Sequence, residues 1–229
     1  MFAQNFWSKH GGLPLRDIVN VDETTVYYDM PTHRIWCKIG EDSKTNSSEK
    51  HSDRLTAVPA ACADGTKLPI LFVLRGQPGG QIEKEELPTF PSGHVYAVQE
   101  RAWMDESVWL YYLEELLKYE IVGPTAVVVD NLAAHVSDRA RHFVDGELFS
   151  FLEELPPNTT SVCQPLDVGV MGPLKSKMQA LWLREEPVTT AAEKRMNMIK
   201  RTIKAWESLS AETVRKSFTK ALPRELCEP

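Results

Sequence analysis

The segment Thr125-Ala126-Val127-Val128-Val129-Asp130 decides the fold class, because its small and β-branched residues continue without a charged interruption as far as the aspartate. A strand that is apolar at nearly every position is buried on both faces, as strands are in a sheet covered by helices. A second run of strand length, Ile18-Val19-Asn20-Val21, also ends at an aspartate, Asp22. Both runs are expected to be strands of one α/β sheet.

The hydrophobic pattern around these runs predicts antiparallel strands first, followed by alternating helices and strands. Strands are expected at 18–21, 25–28, 55–63, 68–74, 125–129 and 148–155, and helices at 104–120, 138–144, 170–182, 191–208 and 211–222. The first two strands are close enough to form a hairpin, and Asp64-Gly65 is a turn signal between the next two. Segments 40–53 and 75–93 are predicted to be surface connections. This order indicates a mixed α/β sheet flanked by helices, an arrangement that the ribonuclease H fold shares with other folds.

The overall composition is that of a soluble globular domain, with 42% hydrophobic and 25% charged residues among 229. No apolar run is long enough to cross a bilayer, and the N-terminal residues do not resemble a signal peptide. The expected location is therefore the cytosol or the nucleus. The four cysteines (Cys37, Cys62, Cys163 and Cys227) lack CxxC spacing and are expected to be reduced thiols.

Charge is distributed unevenly along the chain, whose formal net charge is −6. Residues 193–225 contain nine basic and four acidic residues, so this end of the chain is basic and the remainder is strongly acidic. A basic C-terminal end can face phosphates, but a solvated helical surface explains the same pattern.

Three aspartates stand at the ends of predicted elements. Asp22 and Asp130 end apolar strands, and Asp167 precedes the helix predicted at 170–182. Carboxylates that meet at a sheet edge repel one another, and a hard cation such as Mg²⁺ or Mn²⁺ removes that repulsion. Each aspartate also has an ordinary structural interpretation, since Asp22 can cap a turn through Thr24 and Asp130 can do so through Leu132.

Three blocks of sequence resemble the pogo-like, Tigger-like and jerky-like transposases of the DDE superfamily, which are related to centromere protein B. The first block is Asn20-Val21-Asp22-Glu23-Thr24 and the second is 128–135, Val-Val-Asp-Asn-Leu-Ala-Ala-His. The third and most specific block combines 155–161, Leu-Pro-Pro-Asn-Thr-Thr-Ser, with 164–170, Gln-Pro-Leu-Asp-Val-Gly-Val. The resemblance covers roughly residues 18–222.

The resemblance implies a ribonuclease H-like fold and a metal-binding catalytic triad of Asp22, Asp130 and Asp167. It also implies that the enzyme uses two ions, Mg²⁺ or Mn²⁺, to hydrolyse a DNA phosphodiester. The freed 3′ hydroxyl then attacks target DNA. The third carboxylate lies 37 positions after the second, as in the pogo-like branch. DNA is the implied partner, the nucleus the implied location and a homodimer a compatible assembly.

Auxiliary roles are expected for two residues that follow Asp130. Asn131 either orients Asp130 or only tolerates the turn after the strand. His135 either approaches the scissile phosphate, donates to a carboxylate or is structural. Glu23 is expected to face solvent rather than to support the site. Lys175 and Lys177, which also fit the family pattern, are expected to contact backbone phosphates.

The predicted organisation is a lead-in at 1–17, a catalytic domain at 18–182 and a basic helical extension of the same domain at 183–229. Such transposases usually carry helix-turn-helix domains ahead of the catalytic block, whereas only about 20 residues precede Asp22 here. A host-adopted, catalytically silent module that binds nucleic acid or chromatin is therefore the alternative function. A nuclease acting on RNA or hybrid duplexes is a third.

Overall fold

The computed structural model describes residues 2–31 and 54–224. Its strands are β1 (Ile18–Val21), β2 (Thr24–Tyr27), β3 (Arg54–Val58), β4 (Ala60–Cys62), β5 (Leu71–Arg75), β6 (Val95–Gln99), β7 (Ala126–Val129) and β8 (Phe151–Glu154). Its α-helices are α1 (Phe2–His10), α2 (Glu106–Tyr112), α3 (Lys118–Glu120), α4 (Asp138–Gly146), α5 (Thr160–Cys163), α6 (Pro165–Gly169), α7 (Met171–Trp182), α8 (Ala191–Glu207) and α9 (Ala211–Ala221). A π-helical turn, Leu113–Leu117, joins α2 to α3, so the helix predicted at 104–120 is present as one helical segment.

Strands β1 and β2 are two parts of one interrupted strand, and the predicted hairpin between 18–21 and 25–28 is wrong. Val21 pairs with Ala60, and Thr24 pairs with Ala57, so the antiparallel register continues unbroken across the interruption. Opposite the interruption, the carbonyl of Pro59 accepts a hydrogen bond from the Asp22 N–H at 3.3 Å. Proline has no N–H to return, which divides the partner strand into β3 and β4. The chain runs straight on because both halves share this partner.

The sheet has the mixed arrangement that the sequence predicted. Its two four-stranded ladders, β4-β1-β7-β8 and β2-β3-β5-β6, are connected through the interrupted strands. Strand β1 is parallel to β7, and β7 is parallel to β8. The second predicted hairpin is confirmed, since β3 pairs antiparallel with β5 and Gly65 lies in the turn at φ +97°. Only glycine adopts that conformation without strain.

Four of these strands and α-helices were not predicted, namely α1, β6 and the short helices α5 and α6. Helix α1 precedes the sheet, and β6 extends it by pairing parallel to β5. Segment 75–93, predicted to be a plain connection, contains the short helical turns Ile82–Glu86 and Leu87–Thr89. Segment 40–53 lies outside the described residues, as do Cys37 and Cys227, while Cys62 and Cys163 are free thiols.

Both faces of the sheet are covered by apolar side chains, as the uninterrupted strands predicted. Ile18 and Val128 belong to a core that α7, α8 and α9 complete, whereas Val19 and Val127 face a second core against α2, its π-helical continuation and α4. Helices on both faces confirm the mixed α/β class. None of the helices in the described part of the chain has the length and apolar character needed to cross a membrane.

The C-terminal helices are tied to the sheet by hydrogen bonds as well as by packing. The Trp206 indole N–H donates to the carbonyl of Leu68 at 3.1 Å. The ammonium of Lys67 donates to the carbonyls of Trp206, Glu207 and Leu209 at 2.6–2.7 Å, where it satisfies free carbonyls at the end of α8. The division into a lead-in at 1–17, a catalytic domain at 18–182 and an extension of the same domain at 183–229 stays a prediction.

Helix α6 lies unusually close to α9. A Cβ atom added at Gly169 would stand 2.7 Å from the Cβ and 3.2 Å from the Cα of Ser217. Ser217 is itself buried. Only glycine therefore permits this approach, which sets the position of α6 relative to the sheet.

We expect Gly169→Ala to destabilise the domain by about 1–3 kcal/mol, because the added methyl group must push α6 away from α9. Gly172→Ala is the matched control on α7, where an added Cβ meets nothing within 4 Å. The control should be neutral or stabilising by up to about 1 kcal/mol, since alanine favours helix. Urea unfolding of both variants measures the difference, and equal stabilities would contradict the close-approach argument.

Candidate active site

Asp22 and Asp130 leave the sheet at the same level of two neighbouring strands. Asn20 of β1 is registered with Val128 of parallel β7, and each aspartate lies two residues beyond its member of that pair. The carboxyl ends of adjacent parallel strands are a usual place for binding and catalytic groups. The expectation that both runs are strands of one sheet is confirmed.

A single buried side chain, that of Asn20, connects the three elements that carry the aspartates. Its amide group donates to the carbonyl of Val128 on β7 at 2.9 Å. Its Oδ1 accepts from the backbone N–H of Leu166 in α6, also at 2.9 Å. Since Leu166 directly precedes Asp167, this one side chain fixes α6 against β1 and β7.

The carboxylate of Asp22 is buried and incompletely satisfied. Asp22 is only 7% exposed, and its Oδ1 accepts a hydrogen bond from the Glu23 N–H at 2.8 Å. Oδ2 is buried without a hydrogen-bond partner in the described part of the chain. The turn through Thr24 that the sequence allowed is not formed, because Oδ1 caps the N–H of Glu23 instead.

The electrostatic surroundings of Asp22 oppose its ionised form. Burial raises the pKa of this carboxyl well above 3.8, and the negative charges of Asp167 and Glu23 raise it further. The side chain of Gln164 and the N–H of Glu23 act in the opposite direction but do not reverse the shift. The structure thus brings Asp167, an exposed residue of α6, within electrostatic range of Asp22.

Asp130 has compensating partners that Asp22 lacks. Its Oδ1 accepts from the Leu132 N–H at 3.1 Å, which is the turn contact that the sequence allowed, and lies 2.7 Å from Nδ1 of His135. Partial burial acts to raise the pKa of Asp130, but the hydrogen bond and charge of His135, with the Leu132 N–H, lower it overall. Oδ2 accepts no hydrogen bond from the residues that the structure describes.

His135 bridges two carboxylates. Its Nε2 lies 2.8 Å from Oε1 of Glu23, its ring is fully buried, and the indole of Trp109 contacts it at 4.4 Å between ring centroids. Burial lowers the pKa of His135, but the hydrogen bonds to Asp130 and Glu23 outweigh it and raise the pKa to about 9. The ring is therefore an imidazolium that donates to a carboxylate from each nitrogen. The expectation that Glu23 faces solvent is wrong.

One ligand atom from each of Glu23, Asp130 and His135 lies within 4.8 Å of the others, which is compact enough to hold a metal ion. Both ring nitrogens of His135, however, face carboxylate oxygens at hydrogen-bonding distance. A histidine that binds a metal must be neutral at the ligating nitrogen. The cluster is therefore an ion-paired network in this structure.

Asp22 and Asp167 form a second acidic pair, which lies outside that cluster. Among the described residues, the buried Oδ2 of Asp22 has no hydrogen-bond partner, and Asp167 lies near enough to raise the pKa of Asp22. Hard cations such as Mg²⁺ and Mn²⁺ favour carboxylate oxygens of this kind.

The remaining predicted site residues lie on exposed surfaces. Asn131 is exposed. Asp130 Oδ1 instead contacts the Leu132 N–H and the ring of His135. Lys175 and Lys177 are exposed on α7, the helix that follows Asp167. Their roles stay predictions. Sequence reasoning missed Gln164, which is buried beside Asp22, although a polar residue just ahead of a helix-starting proline was a usable signal.

The stability of the folded domain should fall as pH rises from about 6.5 to about 9. The folded state holds the proton of His135 more tightly than the unfolded chain does. The resulting contribution to the free energy of unfolding is therefore complete below pH 6.5 and is lost as the pH rises past about 9. Urea unfolding across this range should show the fall in wild type and a flatter profile in His135→Gln. His142→Gln, which changes an exposed histidine of α4, should keep the wild-type profile. Parallel profiles for all three proteins would refute the assignment.

Removing the charge of Asp22 should stabilise the metal-free domain. Because the pKa of Asp22 is raised, its ionised form disfavours folding, and stability is lost as pH rises from 3.8 through the raised pKa. At pH 7 with a chelator, Asp22→Asn should raise Tm by about 2–4 °C, which corresponds to about 1 kcal/mol for a domain of this size. Asp145→Asn, on the exposed surface of α4, is the control and should leave Tm unchanged. A lower Tm for Asp22→Asn would contradict the argument.

Comparison with known proteins agrees with this geometry. The sequence pattern of the family described as DDE superfamily endonuclease matches residues 52–218. The mouse protein "Pogo transposable element with KRAB domain" (Mus musculus) is 26% identical over 219 residues, which cover 88% of this chain and 34% of the relative. The chain thus spans about a third of the length of the curated relative it matches.

Two solved structures have the same fold. The mariner Mos1 paired end complex with Mg superposes with a TM-score of 0.62 at 13% identity, covering 99% of this chain and 59% of that chain. The catalytic domain of Mos1 mariner transposase superposes with a TM-score of 0.56 at 12% identity, covering 99% and 88% respectively. These likenesses confirm the ribonuclease H-like fold. With the family pattern matching most of the chain, they lead to one conclusion: the chain belongs to the DDE superfamily endonucleases, as a domain of the transposase type.

Proposed function

We propose that this domain cleaves the phosphodiester backbone of DNA with Asp22, Asp130 and Asp167 as its metal-binding carboxylates. The observation that carries the proposal is the buried, unpartnered Oδ2 of Asp22 beside the charge of Asp167. A buried carboxylate that lacks a partner is costly unless a cation or a proton compensates it. We place the proposed cation at the carboxyl edge of β1, level with the position of Asp130 after β7, because this edge of a sheet is a usual location for catalytic groups.

Divalent ions bound there would activate a water molecule and stabilise the leaving oxygen of an in-line displacement at phosphorus. The chain's own residues hold this arrangement in place. Asn20 anchors the Asp167 helix to both aspartate-bearing strands, and the contact of Gly169 with Ser217 holds the far end of that helix. Asp130 remains ionised at neutral pH because His135 and the Leu132 N–H hold its pKa below the usual value.

DNA is proposed as the substrate because the domain is of the transposase type and because exposed lysines follow the site. Lys175 and Lys177 lie on the helix directly after Asp167, where ammonium groups can meet a bound backbone. Such contacts position a nucleic acid without reading its sequence. A nuclear location, homodimer formation and transfer of the cleaved 3′ end to a second DNA belong to the same proposal.

The proposal is tested by nicking of supercoiled plasmid in Mn²⁺ or Mg²⁺, a substrate that requires no recognition sequence. Wild type should nick the plasmid and a chelator should stop it. Asp22→Asn, Asp130→Asn and Asp167→Asn should each lower the rate by about 100-fold or more, because each removes a carboxylate from the metal-binding set. Asp145→Asn should cleave like wild type.

Three other outcomes would each reject part of the proposal. Cleavage that persists in the three variants would remove these aspartates from the site. Preferential cleavage of RNA or hybrid duplexes would replace the substrate. DNA binding by wild type without any cleavage would favour the catalytically silent binding module.

A further inference from the structure

Glu23 is connected to Asp130 through the ring of His135, which contacts both carboxylates. Successive residues of an extended chain point to opposite sides, so Asp22 and Glu23 diverge where β1 is interrupted. The Asp22 carboxylate lies toward Asp167 and Gln164, whereas Glu23 contacts His135. Glu23 is only 17% exposed at its side chain and is therefore held within the fold.

The connection from Glu23 to Asp130 passes through one fully buried ring. His135 has no exposed surface, contacts Glu23 and Asp130 through opposite nitrogens at 2.8 Å and 2.7 Å, and packs against Trp109. A ring enclosed in this way cannot satisfy its second nitrogen with bulk water. Glu23 therefore holds one side of the ring, whose opposite nitrogen contacts Asp130 Oδ1 together with the Leu132 N–H.

We propose that Glu23 is a positioning residue, which through His135 orients the carboxylate of Asp130 toward the proposed cation site. The proposal rests on the function proposed above, since it assumes that Asp130 binds a divalent ion. In this proposal Glu23 does not bind the metal ion itself, although it lies as close to Asp130 and His135 as a shared metal ligand would. Residues that orient metal ligands by hydrogen bonds usually affect metal affinity about 10–100-fold.

The test measures Mn²⁺ affinity by the loss of the free-ion electron paramagnetic resonance signal, on the full chain and without DNA. Glu23→Ala should weaken Mn²⁺ binding about 10–100-fold. Glu23→Gln should weaken it less, because its amide oxygen still accepts from the imidazole N–H. Glu114→Ala, at an exposed glutamate of the π-helical turn, is the matched control and should bind like wild type.

A double variant separates positioning from direct ligation. If Glu23 acts only through His135, Glu23→Ala adds little once His135→Gln has removed the bridge, whereas two independent contributions add. The low-field imidazole N–H resonances of His135, assigned by their absence in His135→Gln, supply a second readout. They should shift in Glu23→Ala and remain closer to wild type in Glu23→Gln.

The outcomes distinguish this proposal from the function on which it rests. Absence of Mn²⁺ binding by wild type overturns the metal chemistry and this role with it. Mn²⁺ binding that depends on Asp130 but is unchanged in Glu23→Ala overturns the positioning role alone. Additive losses in the double variant overturn it in favour of direct ligation by Glu23.

Discussion

The hydrogen bonds that join the buried Asn20 side chain to Val128 and Leu166 are the interaction on which the arrangement of this domain depends. A polar group inside an apolar sheet is costly unless it is paired, and here the pairing partners belong to β7 and α6. The pairing therefore requires that the strand before Asp130 and the helix that contains Asp167 meet β1 at one point. The same contact that satisfies a buried amide fixes the segments from which Asp22, Asp130 and Asp167 extend.

The interruption after β1 explains how one short segment serves two parts of the site. The register with β3 and β4 continues across Asp22 and Glu23, so the chain neither turns nor slips there. Alternation of side chains then sends Asp22 to one side and Glu23 to the other. Pro59 opposite the gap cannot return a hydrogen bond, which leaves this pair of residues free of a regular ladder.

Charge is balanced unequally between the two strand ends. At β7, the imidazolium of His135 lies between Asp130 and Glu23, so two negative charges share one buried positive charge. At β1, Asp22 is buried next to Asp167 and Glu23, and none of the described residues supplies it with a cationic partner. The neighbouring charges of Asp167 and Glu23 oppose ionisation of Asp22, and in the proposed function a divalent cation offsets that repulsion. The asymmetry links the stability of the fold to the chemistry that we propose.

Sequence alone determined the strands that matter most, because runs such as Ala126–Val129 are apolar at every position and end at a carboxylate. It also singled out Asp22, Asp130, Asp167 and His135 through local motifs. Tertiary structure decided the rest. Whether Glu23 faces water or a buried histidine depends on the position of His135, which lies 112 residues later in the chain. The pairing of β1 with β4 rather than β2 depends on a partner strand beyond residue 53. Local patterns record burial and periodicity, but long-range contacts select which compatible pairing forms.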